Sequence, residues 1–189
     1  MSDGVLEIFR TAGAVKEGHF LLASGLHSPV YWEKFRILQQ PSVTEDLCGL
    51  IARHFRGQHI DLVAGPTTGG VIIAFETARQ LGVRSIFAEK EDGVRVFRRD
   101  FAFVRGERVL VVDDVWTTGG SVRETIAALD EWGAVVVGVG VFVDRSDQPP
   151  ALDMPFFSCL RVPTEAYAPG DCPLCAAQIP LVKPGSPTE

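Results

Sequence analysis

Little in this chain belongs to the residue types that staple, anchor or spread a protein. Four cysteines in 189 residues, Cys48, Cys159, Cys172 and Cys175, are too few for a disulfide framework, and a reducing compartment keeps such residues as thiols. The longest uninterrupted apolar run, Ala134 to Val143, spans ten residues, about half of the roughly 20 that a membrane-crossing helix needs, so no membrane association is expected. The opening Met1-Ser2-Asp3-Gly4 lacks a basic region followed by an apolar stretch, which argues against a secretory signal and for a cytoplasmic protein. Basic residues are in the minority: 18 Lys plus Arg against 24 Asp plus Glu leave a formal net charge of -6, which repels a phosphate backbone, and no nucleic-acid partner is expected. A local cationic pocket remains compatible with that balance. Neither the Gly-x-x-x-x-Gly-Lys-Ser/Thr loop of nucleotide hydrolases nor a Gly-x-Gly-x-x-Gly turn after a first strand occurs, so ATP hydrolysis and NAD binding lose ground.

With 46% hydrophobic residues at this length, one domain spanning residues 1–189 can bury about 70% of the surface its unfolded chain exposes, without a staple. Val5, Leu6, Ile8 and Phe9 mark a short first helix that Gly13 ends, and Ser24 to Pro29 reads as a turn between two extended stretches. Ser42 and Glu45 are spaced as a capping box ahead of an amphipathic helix carrying Leu47, Leu50, Ile51 and Phe55. The period then switches regularly. Ile60 to Ala64 is a strand, Gly65 to Gly70 a glycine loop, and Val71 to Leu81 a helix closed by Gly82. A strand from Arg84 to Ala88 and a charged hairpin through Val94 and Val96 follow. The unit repeats as a strand from Arg108 to Val112, a loop from Asp113 to Gly120 and a helix from Ser121 to Trp132, with Ser121 and Glu124 as a second capping box, before the strand Ala134 to Val143. Buried strands separated by helices imply an α/β fold with a mostly parallel sheet and right-handed crossovers. The residues from about 183 to 189 should form a loose tail.

Ligands of open α/β sheets sit beyond the carboxyl ends of the strands, where this chain has two loops. In the second, Thr117, Thr118 and Ser121 offer hydroxyl donors, Gly119 and Gly120 allow close backbone approach, and a helix N-terminus follows, which together suit a phosphate monoester. Asp113 and Asp114 repel phosphate and suit sugar hydroxyls or the hydration shell of a Mg²⁺ ion. Phosphate at one end and diol at the other describe a ribose 5-phosphate.

The run Val109-Leu110-Val111-Val112-Asp113-Asp114-Val115-Trp116-Thr117-Thr118-Gly119-Gly120-Ser121 closely resembles the motif with which type I phosphoribosyltransferases bind phosphoribosyl diphosphate, PRPP. Gly18-His19-Phe20 together with Ser24-Gly25-Leu26-His27-Ser28-Pro29-Val30-Tyr31-Trp32 resembles the N-terminal segment of the orotate-specific members. The resemblance implies a type I phosphoribosyltransferase fold with a small hood from both termini, transfer of phosphoribosyl from PRPP to orotate, Mg²⁺ as cofactor, and a homodimer that builds each site from two chains. It further implies that Asp113 to Ser121, with Val115 and Trp116 among them, hold the ribose 5-phosphate, that Thr68 and Gly69 meet the diphosphate, and that Thr117, Arg145, Tyr31 and Trp32 meet orotate. A fork-shaped guanidinium suits a carboxylate or ring carbonyl, and a flat ring stacks on aromatic faces.

Three positions depart from the pattern. Family members carry a Lys where this chain has Ala23 and another where it has Gly69, and their catalytic loop is rich in Lys with a His. Here Glu89 to Arg99 has one Lys, Lys90, which is the best aligned catalytic cation, while Arg95, Arg98 or Arg99 would replace the rest. Of the histidines, only His27 is placed near substrate, and His19, His27, His54 and His59 show no metal-ligand spacing. Cys172 and Cys175 form half of a zinc site that Cys159 or Cys48 would complete. Competing readings are a phosphoribosyltransferase for another nucleobase and a regulator that keeps the PRPP pocket but binds RNA or DNA.

Overall fold

The computed structural model describes residues 2–22, 24–163 and 165–184. The chain opens with helix α1 (Ser2–Thr11), then forms an antiparallel hairpin of β1 (Val15–Leu21) and β2 (His27–Trp32). Two helices follow, α2 (Phe35–Leu38) and α3 (Pro41–Phe55). The main body alternates β3 (Leu62–Pro66), α4 (Gly69–Leu81), β4 (Arg84–Glu91), β5 (Val94–Phe97), β6 (Arg108–Trp116), α5 (Gly120–Trp132), β7 (Val135–Asp144) and β8 (Phe156–Arg161). A short helix, α6 (Pro173–Ala176), comes last.

Six strands form one sheet in the order β5-β4-β3-β6-β7-β8, parallel throughout except for the antiparallel edge strand β5. Both faces are covered, which is why the strands read as continuous apolar runs. Within β6, Leu110 and Val112 join the core beneath α3 and α4, while Val109 and Val111 join the core beneath α5. The chain leaves β3 for β4 on one side and returns to β6 on the other, so the strand order reverses between β3 and β6. That reversal opens a crevice at the carboxyl ends of these two strands, the favoured ligand position in such sheets.

The hood is the β1-β2 hairpin clamped by the C-terminal segment. Val182 pairs along β1, with Leu21 N–H donating to Val182 O at 2.9 Å and Val182 N–H to His19 O at 2.8 Å. Tyr167 pairs along β2, exchanging two backbone hydrogen bonds with His27. Of the expected tail, Lys183 and Pro184 continue from this clamp, and residues 185–189 lie outside the described residues.

Neither capping box forms. Pro41 takes the first position of α3 and its ring fixes a helical φ, so Ser42 already lies inside the first turn; Gln40 is the N-cap and makes no side-chain cap bond. Gly119, at φ 77°, is the N-cap of α5, which leaves Ser121 inside the helix as well. The loop expected from Asp113 begins later, because β6 keeps its ladder with β7 through the pair Trp116 and Asp144. β8 was not anticipated from the sequence.

Candidate active site

The extension of β6 decides how the acidic doublet works. Successive side chains of a strand point to opposite faces, so Asp113 and Asp114 are divided between two environments. Asp113 lines a cavity of about 260 Å³ together with Lys90, Thr117, Thr118, Gly119 and Ser121. Asp114 turns the other way and meets Lys34 Nζ at 2.9 Å through Oδ2. Both carboxylates are buried, at 7% and 5% exposure. Burial, reinforced by the charge of Asp114, pushes the Asp113 carboxyl up to about 7. Burial pulls the Lys34 ammonium down, but Asp114 outweighs it and the net direction is upward. Lys34 was not singled out from the sequence.

Thr117, Thr118, Gly119, Gly120 and Ser121 line the phosphate-type cavity of Asp113 together. Helix α5 starts at Gly120 without a side-chain cap, so its first amide groups and the positive end of its dipole face the cavity. Gly119 is required there: its φ is positive, and a β carbon would lie 2.3 Å from the Trp116 ring. Trp116 itself does not line the cavity. Its indole is buried beneath Gly119 and packs edge-on against Phe156, so the expected contact to PRPP is corrected to a supporting role. Val115, by contrast, does line the cavity.

A second cavity of about 540 Å³ adjoins the first and shares Thr117 and Thr118 with it. Arg145 lines it with Ser146 and Asp147 on one side and Leu22, Ser24, Leu26 and Ala166 of the hood on the other. Arg145 is held in place by its backbone, whose N–H donates to Trp116 O at 2.8 Å. Asp144 steadies the same turn, accepting from the Ser146 N–H at 3.0 Å and hydroxyl at 2.5 Å, with Arg161 Nε at 3.4 Å from its other oxygen. Burial lowers the pKa of the Arg145 guanidinium from its ordinary value, and the Tyr31 hydroxyl lies within electrostatic range.

Tyr31 and Trp32 do not form an aromatic pair around one ligand. As neighbours in β2 they point to opposite faces; Trp32 is 9% exposed and packs edge-on against Phe9, whereas Tyr31 is half-buried and leans on Phe20. Burial raises the Tyr31 hydroxyl pKa.

The segment expected to act as a cationic loop is the β4-β5 hairpin, turned at Asp92 and Gly93. Lys90 and Arg95 are register partners, which puts both on one face. Lys90 reaches the phosphate-type cavity. Arg95 is buried beside it, donating from Nη1 to Thr67 Oγ1 at 2.9 Å and to Thr67 O at 3.2 Å, with Nε 3.6 Å from Glu124. Arg98 pairs with Glu91, and Arg99 with Glu89, on the solvent side of the hairpin. Thr68, exposed, precedes α4 at the N-cap position without a side-chain cap bond, and Gly69 packs directly on Asp114. The Ala23 position lies outside the described residues.

His27, expected near substrate, lines neither cavity. It is 6% exposed and its Nδ1 lies 2.9 Å from His19 Nε2, in a cluster with Cys172 and Cys175. The proposed zinc partners Cys48 and Cys159 are elsewhere, the first buried against Ile73 O and the second half-buried against Leu47 O. Widely separated positions meet here because the C-terminal segment folds back on the hairpin, which spacing along the chain does not reveal.

Residues 35–175 match the family model of the phosphoribosyl transferase domain. The orotate phosphoribosyltransferase of Caldanaerobacter subterraneus subsp. tengcongensis is 50% identical over 184 residues, covering 97% of each chain. That of Caldicellulosiruptor bescii is 48% identical with the same coverage of both. Among solved structures, the orotate phosphoribosyltransferase from Aeropyrum pernix superimposes with a TM-score of 0.71 at 28% identity, covering 84% of this chain and 93% of that one. A strand-order reversal, an uncapped helix start behind an acidic strand end, and this degree of likeness over nearly the whole length agree: the chain belongs to the phosphoribosyl transferase domain family and, within it, to the orotate phosphoribosyltransferases.

Proposed function

We propose that this protein transfers the phosphoribosyl group of PRPP to orotate, forming orotidine 5'-monophosphate and diphosphate in pyrimidine biosynthesis. The observation that carries the reading is the pair of cavities joined at Thr117 and Thr118. One is polar, faces the start of α5 and suits the 5-phosphate. The other presents Arg145 to a flat anionic ring, with Tyr31 nearby. A ribose held between them directs its C1 toward the base.

In the reaction, the bond between C1 and the diphosphate oxygen breaks with its electron pair, and the ring nitrogen of orotate forms the new bond to C1, its proton passing to solvent or diphosphate. No side chain is consumed as a nucleophile. The residues contribute by aligning the reactants and by meeting charge where it develops. Thr117, Thr118, Ser121 and the amides at the start of α5 hold the phosphate. Asp113 accepts from the ribose hydroxyls, and Lys90 stands on the side from which the diphosphate departs. Arg145 fixes the base. The buried Asp113 carboxyl fits a divalent cation, since burial and the like charge of Asp114 outweigh the help of Lys34 and Arg95, so a further cation would stabilise its ionised form. When bound with PRPP, Mg²⁺ would neutralise diphosphate charge, and Asp113, the carboxylate that lines the cavity, would help to hold it.

A homodimer fits the surface: Ile72 and Phe75 of α4 are 41% and 66% exposed and border a groove with Leu38 and Pro41. A second copy covering this patch would sit beside the loop at Thr68 and Gly69. The cytoplasm, where PRPP is made, is the fitting location. Incubation of the purified protein with PRPP, Mg²⁺ and orotate, followed by the fall in ultraviolet absorbance of orotate, tests the reading; no change with orotate but turnover with a purine would replace it.

A further inference from the structure

His19, His27, Cys172 and Cys175 bring four ligand atoms within 4.8 Å of one another, from three separate stretches of chain. His19 Nε2 lies 3.5 Å from Cys172 Sγ and 3.8 Å from Cys175 Sγ, while Cys175 Sγ lies 3.3 Å from His27 Nδ1. Such separations suit donors around one ion whose bonds to nitrogen and sulfur are about 2.0–2.3 Å. The other nitrogen of His19 is engaged as metal-bound imidazoles usually are: Nδ1 is 2.7 Å from Ile179 O, and a proton there leaves the Nε2 lone pair facing the cluster. His19, His27 and Cys172 are buried, whereas Cys175 is exposed and gives an ion a way in.

We infer that these four residues form a structural zinc site. Two thiols and two imidazoles favour a borderline-soft ion over Mg²⁺ or Ca²⁺, which take oxygen ligands. Four protein ligands leave no position for a reacting water, so the site is closed and its role is to hold structure. What it holds is the hood: His19 comes from β1, His27 from β2, and the Cys172-Pro-Leu-Cys175 turn opens α6. Leu22, Ser24 and Leu26 between the two histidines, and Ala166 next to the Tyr167 pairing, line the Arg145 cavity. Zinc therefore ties the C-terminal segment to the wall of the base cavity, a role separate from that of Mg²⁺ in the transfer.

The test is elemental analysis of full-length protein expressed with zinc and purified without chelator, together with cobalt replacement. About one zinc per chain is expected after gel filtration, and cobalt-loaded protein should show thiolate charge-transfer and tetrahedral ligand-field bands. Cys172→Ser and Cys175→Ser should each lose most of the metal, while Cys48→Ser and Cys159→Ser should keep it. Metal-free wild-type protein with a freely reactive Cys175 thiol and no cobalt bands would overturn the site, and that measurement does not depend on any variant folding. Stripping zinc and assaying in excess Mg²⁺ should raise KM for orotate several-fold; an unchanged KM in zinc-free protein would overturn the tie to the base cavity.

Discussion

Asp114 occupies the space in which a side chain at position 69 would stand: a β carbon built on Gly69 lies 2.0 Å from Asp114 Oδ2, the oxygen that Lys34 holds at 2.9 Å. A side chain at position 69 is thus shut out in this chain, and Lys34 supplies the cation to this carboxylate. Gly69→Ala is expected to push Asp114 off Lys34 and lower kcat at least tenfold. Gly69→Lys should do no better than Ala; a lysine variant with raised kcat would refute the steric argument. Steady-state kinetics on both variants reads this directly.

Asp113 sets a pH dependence on the ligand-free fold. Below the ordinary carboxyl pKa near 4, folded and unfolded states both carry the proton. Between there and about 7 the folded state keeps it and the unfolded state has released it, so this group's contribution to stability falls as pH rises through that window. Asp113→Asn should remove the slope and stabilise the ligand-free protein at pH 8 by about 1 kcal/mol, roughly 2–4 °C in Tm. It should also cut turnover by about 10²-fold or more, because the ribose loses a charged acceptor. Thermal melts across pH beside an activity assay separate the two effects.

The cations of the β4-β5 hairpin are not equivalent. Lys90→Ala is expected to reduce kcat by about 10²–10³, the usual scale for losing one group that stabilises developing charge. Arg98→Ala and Arg99→Ala should leave kcat within about threefold, since both side chains pair with glutamates at the surface, where solvent screens such pairs. A large effect of Arg99→Ala with a small one of Lys90→Ala would reverse the assignment.

Arg145→Gln keeps a donor but loses the fork and the charge. KM for orotate should rise at least tenfold while KM for PRPP stays within about twofold, because Arg145 lines the cavity that Asp113 does not. An equal rise in both constants would mean the turn, rather than the base contact, had been lost.

For the dimer, Phe75→Glu should place a charge in the apolar patch and give a monomer by sedimentation, with activity reduced. A wild-type monomer at micromolar concentration would remove this expectation altogether.

Much of the architecture was legible because periodicity reports burial. Val109 to Val112 had to lie between two layers, and Gly82 and Gly133 do end their helices in the left-handed conformation. The phosphate-type cavity was legible because its donors are consecutive. What escaped depends on contacts between distant segments. A charged doublet reads as a loop, yet β7 continues alongside it, and nothing near Lys34 in the chain announces Asp114. The alternation that separates Tyr31 from Trp32 follows from the strand, but which face meets the core is set by Phe9 in a different element. Only the Cys172 and Cys175 half of the thiol-imidazole cluster has a local signature.

The division of labour along β2 has an evolutionary corollary. With Trp32 locked against Phe9 as ballast, the half-buried residue beside it, which leans on Phe20, bears less of the hood's packing. On the proposed reading, preference among nucleobases can then drift through position 31, which makes that site a natural first target for redesigning which ring the enzyme accepts.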